Sequence, residues 1–238
     1  MERISKVIAN SGYISRRGAD ELIAKGKVLV NGEVATLGQK VDGNDIITID
    51  GKIIERTNGN YEYYILNKPR GVISTSSDEK GRKTVTDIIL TKTRIYPVGR
   101  LDYDTTGALI LTNDGELTNK LIHPKNKVDK VYLAKVKGII LVNDLKKLEK
   151  GVKIDNYTTS PAKVKLKSFD RKTNTSLVLV TIHEGHNHQV KKMFETIGFD
   201  VVKLTRLSFA GIDVKSLKSG EYRKLSLKEV QRLYGLVK

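Results

Sequence analysis

Asp102 is the residue of this chain best placed for nucleophilic chemistry. It lies in Gly99-Arg100-Leu101-Asp102-Tyr103-Asp104-Thr105-Thr106-Gly107, where two carboxylates and an arginine are crowded between glycines. The apolar run Ala108-Leu109-Ile110-Leu111 follows at once, and then Thr112-Asn113-Asp114-Gly115. A polar loop leading into a buried strand holds a reactive group on a rigid support. Aspartates are also ordinary turn and cap residues, and loop position alone leaves Asp102 and Asp104 open to that reading.

Other chemistries are poorly supplied. The chain has no cysteine, which removes disulfides, thiolate metal sites and thiol nucleophiles. It also removes the zinc nucleobase deaminases and base methylation through a thiol adduct. Glu184 with His186-Asn187-His188 is a thin metal set in a chain of four histidines, so no metal is expected. No Walker-type phosphate loop occurs, and no Gly-x-Gly-x-x-Gly opens a helix after a strand. If the chain acts on a base, a carboxylate is the leading nucleophile.

The partner is suggested by charge. Lys and Arg number 43 against 27 acids, a net charge of +16 and a pI near 9.8. That excess is well beyond the ~2–8 that solubility asks for and suggests a polyanion. The basic residues run through the whole chain and form no basic amphipathic tail, which favours nucleic acid over a membrane surface. No run approaches the ~20 apolar residues of a membrane span. The opening Met1-Glu2-Arg3-Ile4 lacks an apolar signal core, so a cytoplasmic protein is expected.

Two units are expected to position these residues. Ile4, Val7 and Ile8 recur at helical spacing. Ser15 reads as the N-cap of a second helix carrying Ala19, Leu22 and Ile23, with Gly26 as its stop. Asn31-Gly32 between Val28–Val30 and Glu33–Ala35 is a hairpin signal, and a strand over 46–49 ends at Asp50-Gly51. Glu55 to Asn60 is polar and aperiodic. The division is therefore residues 1–55, a linker over 56–60, and 61–238. In the second unit strands are expected at 63–66, 108–112, 128–137, 162–167 and 177–182. Helices are expected at 84–90, 116–122 and 142–150, along the stripe Val190, Met193, Phe194 and Ile197, and after the capping box of Ser226 and Glu229. The irregular order predicts an α+β fold with a mostly antiparallel sheet.

The helix–helix–hairpin order, with Ser15-Arg16-Arg17 and Val30-Asn31-Gly32, resembles the alpha-L RNA-binding module of a small-subunit ribosomal protein over roughly residues 2–50. Arg3, Arg16 and Arg17, with Lys6, Lys25 and Lys27, would grip RNA phosphates there. Tyr13 is the lone aromatic, which favours shape over base stacking. The Gly99–Gly107 block resembles the catalytic loop of the RNA pseudouridine synthases, in the branch with small- and large-subunit ribosomal RNA targets. Asn67-Lys68-Pro69-Arg70-Gly71, Lys130-Val131-Tyr132-Leu133, the stretch from Glu184 to Met193, Leu204-Thr205-Arg206 and Gly220-Glu221-Tyr222-Arg223 also match.

The resemblance implies isomerisation of a uridine to pseudouridine in ribosomal RNA, with Asp102 as the catalytic aspartate, Tyr132 as the active-site tyrosine and Lys191 as its basic partner. Periodicity alone makes Tyr132 a core tyrosine and Lys191 part of a solvated helix face. Many relatives carry arginine at the basic position; a lysine there is a point charge without arginine's fork, and Lys192 is the neighbouring alternative. Lys68, Arg70, Arg100, Lys192 and Arg206 are expected to contact RNA, as is the basic loop Lys80–Lys83. No cofactor is implied, because the reaction is an isomerisation. The expected partner is ribosomal RNA or a pre-ribosomal particle, met by a monomer. Tyr96-Pro97-Val98, Leu121-Ile122-His123-Pro124 and Asp78–Lys83 are most similar to members with large-subunit targets, while His188-Gln189-Val190-Lys191 is closer to the small-subunit type. A small-subunit target, or a non-catalytic ribosome-assembly protein, is the alternative.

Overall fold

The computed structural model describes residues 1–56 and 59–237. Thr57 and Asn58, in the middle of the expected linker, lie outside the described residues, as does Lys238. The chain divides into two compact units. One holds Met1–Glu62 with Thr91–Arg94 and Asn113–Gly115; the other holds the rest. The first unit thus takes in two short segments from beyond the linker. Among the described residues no helix is long and apolar enough to cross a membrane.

In the first unit α1 (Ile4–Asn10) and α2 (Arg16–Ala24) pack on a small sheet of β1 (Val28–Val30), β2 (Glu33–Val34), β3 (Ile47–Ile49) and β4 (Lys52–Ile53). Ser15 caps α2 by accepting from the Gly18 amide at 3.0 Å, which satisfies one of the helix's unpaired donors. Asn31 and Gly32 both have positive φ (52° and 89°), the left-handed pair that a tight hairpin needs. Asp50-Gly51 repeats the device at 47° and 76° and turns β3 into β4, a second hairpin where the sequence reading saw only a strand end. Ile4, Ile8, Ile23, Val28, Ile47 and Ile49 close the core.

The second unit is built on one sheet. Its main strands are β5 (Tyr63–Lys68), β6 (Thr106–Thr112), β7 (Lys130–Lys137), β8 (Lys163–Asp170), β9 (Thr175–Ile182), β10 (Val201–Phe209) and β11 (Tyr222–Lys224), in the order β8-β9-β7-β10-β6-β5-β11, with the short strands Tyr96–Pro97 and Ile212–Asp213 pairing with β6 and β10. Helices α3 (Gly115–Ile122), α4 (Val142–Lys150), α5 (Gln189–Thr196) and α6 (Leu227–Leu236) cover it. Leu109 and Leu111 enter one core with α4 and α5, while Ala108 and Ile110 enter another with α3 and α6. β6 is therefore buried on both faces, which is why it reads as an unbroken apolar run. On β7 the expected alternation holds: Tyr132, Ala134 and Val136 face inward together.

Among these strands the pairings are antiparallel except β6 with β10, joined in parallel at Thr106↔Thr205 and Gly107↔Arg206. The fold is α+β, as expected. The helix expected at 84–90 is absent. Only a 3₁₀ turn at Thr86–Ile88 forms, and Ile89 is extended. The β-branched run Thr84-Val85-Thr86 disfavours helix, and the amides of Ile73 and Val85 bond across this loop to Lys83 and Ile73.

Candidate active site

Asp102 stands where the Gly99–Gly107 loop enters β6. Two features fix that loop. Gly107 has φ +106°, and a Cβ on it would lie 2.1 Å from the Arg206 carbonyl oxygen, so only glycine permits this approach of β6 to β10. Lys68, at the end of β5, is fully buried. Its Nζ donates to the carbonyls of Pro69 and Asp102 at 3.1 Å and of Thr105 at 3.0 Å. Burial pushes this ammonium down to about 8, against the pull of Asp102 and Asp104. The expected contact of Lys68 with RNA is therefore corrected: the charge is spent inside the protein, holding the loop that carries Asp102.

Around the Asp102 carboxylate stand Lys191 Nζ at 3.4 Å, His188 Nε2 at 3.6 Å and the Thr105 hydroxyl at 3.5 Å. Lys191 also donates to both oxygens of Asp104, at 2.7 and 3.0 Å, and holds that carboxyl below its usual range. One ammonium thus bridges both aspartates. Lys192 turns away to pair with Asp155, so of the two lysines Lys191 is the one beside Asp102. His188 reaches Asp102 because it opens α5 with φ 53°. Its loop is held by Gln189, which accepts from the His186 amide at 3.0 Å and donates to Glu184.

Asp102 and Tyr132 line one cavity of about 150 Å³ together with Lys130, His186, His188, Arg206 and Phe209. A bulge builds this wall. Val131 pairs with Ser208, but Tyr132 pairs with Arg206, so Leu207 is extra. Residues three apart in a strand point to opposite faces; the inserted residue brings Arg206 and Phe209 to the same cavity, opposite Tyr132 and Lys130. Arg206 is 2% exposed, with Nε donating to the Ala108 carbonyl at 2.7 Å. That burial turns Arg206, expected to contact RNA, towards the cavity and away from the outer surface. Arg100 is exposed near Asp102 and Arg70 near Asp104, and Arg3, Arg16 and Arg17 are exposed on the first unit. The reading from sequence missed Lys130 and His188. The period-2 spacing of Lys130 and Tyr132 was the signal for the first. For His188, only its place in a matching motif pointed to Asp102.

A carboxylate with a cation beside it lines this cavity, and the fold around it is that of a known class. The family model of RNA pseudouridylate synthases matches residues 62–196, and the S4 domain model matches residues 2–47. The chain belongs to the RNA pseudouridine synthase family. It is 53% identical to the ribosomal large subunit pseudouridine synthase B of Bacillus subtilis, over 99% of this chain and 97% of that protein. It is 38% identical to an uncharacterized RNA pseudouridine synthase of Aquifex aeolicus, over 99% and 94% of the two chains. A crystal structure of a pseudouridylate synthase superposes with TM-score 0.70 at 29% identity, covering 98% of this chain and all of that one.

Proposed function

We propose that this enzyme converts a uridine of large-subunit ribosomal RNA to pseudouridine, with Asp102 as its nucleophile. The observation that carries the chemistry is the Asp102 carboxylate at the wall of the cavity, 3.4 Å from Lys191. The choice of RNA rests on the identity to the Bacillus subtilis enzyme along nearly its whole length. The target base leaves its stack and enters the cavity, at a cost of a few kcal/mol. Asp102 attacks, Lys191 is the counter-charge that steadies the carboxylate, and Tyr132 stands beside the base to stack on it or to receive the proton that leaves ring carbon five. Arg70 and Arg100 hold RNA at the mouth, and Arg3, Arg16 and Arg17 bind its phosphates from the first unit.

Tritium release from transcripts carrying carbon-five-labelled uridine tests this reading. Wild type releases tritium from large-subunit RNA, and Asp102→Asn does not while still binding RNA. Equal release by both removes Asp102 from its role, and release from small-subunit RNA alone moves the target. Tight binding without release, on RNA and on precursor particles alike, makes the chain an assembly factor.

A further inference from the structure

Two cations that line the cavity are not used by these roles. Arg206 lies with its guanidinium 4.9 Å from the centre of the Phe209 ring, and its Nη2 is buried with no hydrogen-bond partner among the described residues. Lys130 has its ammonium 6.0 Å from the same ring. It donates to the carbonyls of His183 and Glu184 at 3.1 and 3.2 Å, which uses two of its three protons. Burial first, and Arg206 second, hold this ammonium down at about 8. Asp129 and Glu184 act in the other direction, but Glu184 is already engaged by Ser160 and Gln189. An unpaired buried donor is costly, and that cost is relieved when a ligand supplies the acceptor.

We propose that Lys130 and Arg206 receive the carbonyl oxygens of the uracil ring and stabilise the negative charge the ring gains during the reaction. This rests on the synthase reading above. Both possible attacks by Asp102 send charge to those oxygens. If the carboxylate bonds to sugar carbon one, the bond from that carbon to ring nitrogen one breaks. Its electron pair stays on the ring, whose anion spreads over both carbonyl oxygens. If the carboxylate bonds to ring carbon six, the pair between carbons five and six moves towards the oxygen on carbon four as an enolate. Either way the carboxylate is later released and ring carbon five becomes bonded to the sugar. The carbon-five proton is lost to a base and nitrogen one gains a proton, so the sum is an isomerisation. Fixed donors placed where such charge develops are each worth about 10²–10³ in rate. The placement also suits uracil over cytosine, whose exocyclic amine presents a donor to the same cations.

Lys130→Met is the test, with Lys130→Arg as the variant that keeps the charge; Arg206 is too deeply buried to remove cleanly. Single-turnover pseudouridine formation is measured beside RNA affinity, with thermal melts to check folding. Lys130→Met slows the chemical step about 100-fold with RNA affinity held within about twofold, and Lys130→Arg recovers most of the rate. A second arm needs no turnover and is read on wild type even if a variant misfolds. It compares binding of uracil with 5-nitrouracil, a ring already anionic at neutral pH. Wild type prefers the anion by about tenfold, a difference of ~1.4 kcal/mol, and Lys130→Met loses that preference. A wild-type rate in Lys130→Met, or no preference for the anion in wild type, overturns the proposal. Preference for the anion in a protein that forms no pseudouridine keeps the cationic site and refutes the synthase reading instead.

Discussion

Replacing Lys68 with Met separates a lysine that serves the fold from one that serves RNA. The substitution removes three donated hydrogen bonds, to Pro69, Asp102 and Thr105. Carbonyls left without donors cost about 1–2 kcal/mol each, roughly 3–6 in all. Against this, the buried charge itself is unfavourable. Depression from 10.5 to about 8 corresponds to about 3 kcal/mol below pH 8, which Met does not incur. The balance is a loss of about 2 kcal/mol at pH 7, or a fall in Tm of about 6 °C for a chain of this size.

The sign with pH is also fixed. Between pH 8 and 10.5 the unfolded chain keeps the Lys68 proton while the folded one releases it, so this residue makes wild-type stability rise across that window. Lys130, also held down at about 8, adds a rise of the same sign in both proteins. Lys68→Met therefore shows the smaller rise. Urea unfolding at pH 7 and at pH 9.5, with RNA affinity measured across a salt series, gives every quantity. A lysine that pairs with a phosphate of single-stranded RNA lowers the salt slope by about 0.7 when removed; Lys68→Met is expected to leave the slope unchanged. A slope reduced by that amount, with stability untouched, would refute the reasoning.

Two further substitutions test the frame. Gly107→Ala places a methyl against the Arg206 carbonyl and opens the parallel junction of β6 with β10, costing about 3–4 kcal/mol from strain and lost pairing. Gly235→Ala, exposed in α6 with open space around it, is the control and gains up to ~1 kcal/mol; equal melting temperatures for the two would count against the close approach. Glu229 is held down at about 2, chiefly by hydrogen bonds from Arg223. Its contribution is present above pH 4.5 and is lost as pH falls towards 2. Glu229→Gln should cost about 1 kcal/mol at pH 7, after allowance for partial exposure, and only a small part of that at pH 2. A constant difference in denaturant midpoint over that range would show that the ion pair is not the cause.

Much of this protein was readable before any coordinates, because the signals are local. Asn31-Gly32 makes its turn through the backbone freedom of two residues, Ser15 and Ser226 cap helices three residues away, and α4 begins and ends at 142 and 150 as periodicity expects. The double-sided burial of β6 is written in its unbroken apolar run. β10 was missed as a strand, although Leu204 and Arg206 alternate inward, and the junction at Gly107 joins segments about 100 residues apart. No local rule carries such a pairing.

The same division runs through the site. The sequence alone marked Asp102, Tyr132 and Lys191 by their motifs, and its charge pointed to a polyanion. Only the tertiary structure decided which cations face inward. Lys68 and Arg206 read as surface charges like any others. Their burial follows from strand pairing and from one extra residue at Leu207, which turns Arg206 into the cavity beside Lys130. Side-chain direction in a sheet depends on the register between distant strands, and that register is set when the whole core packs.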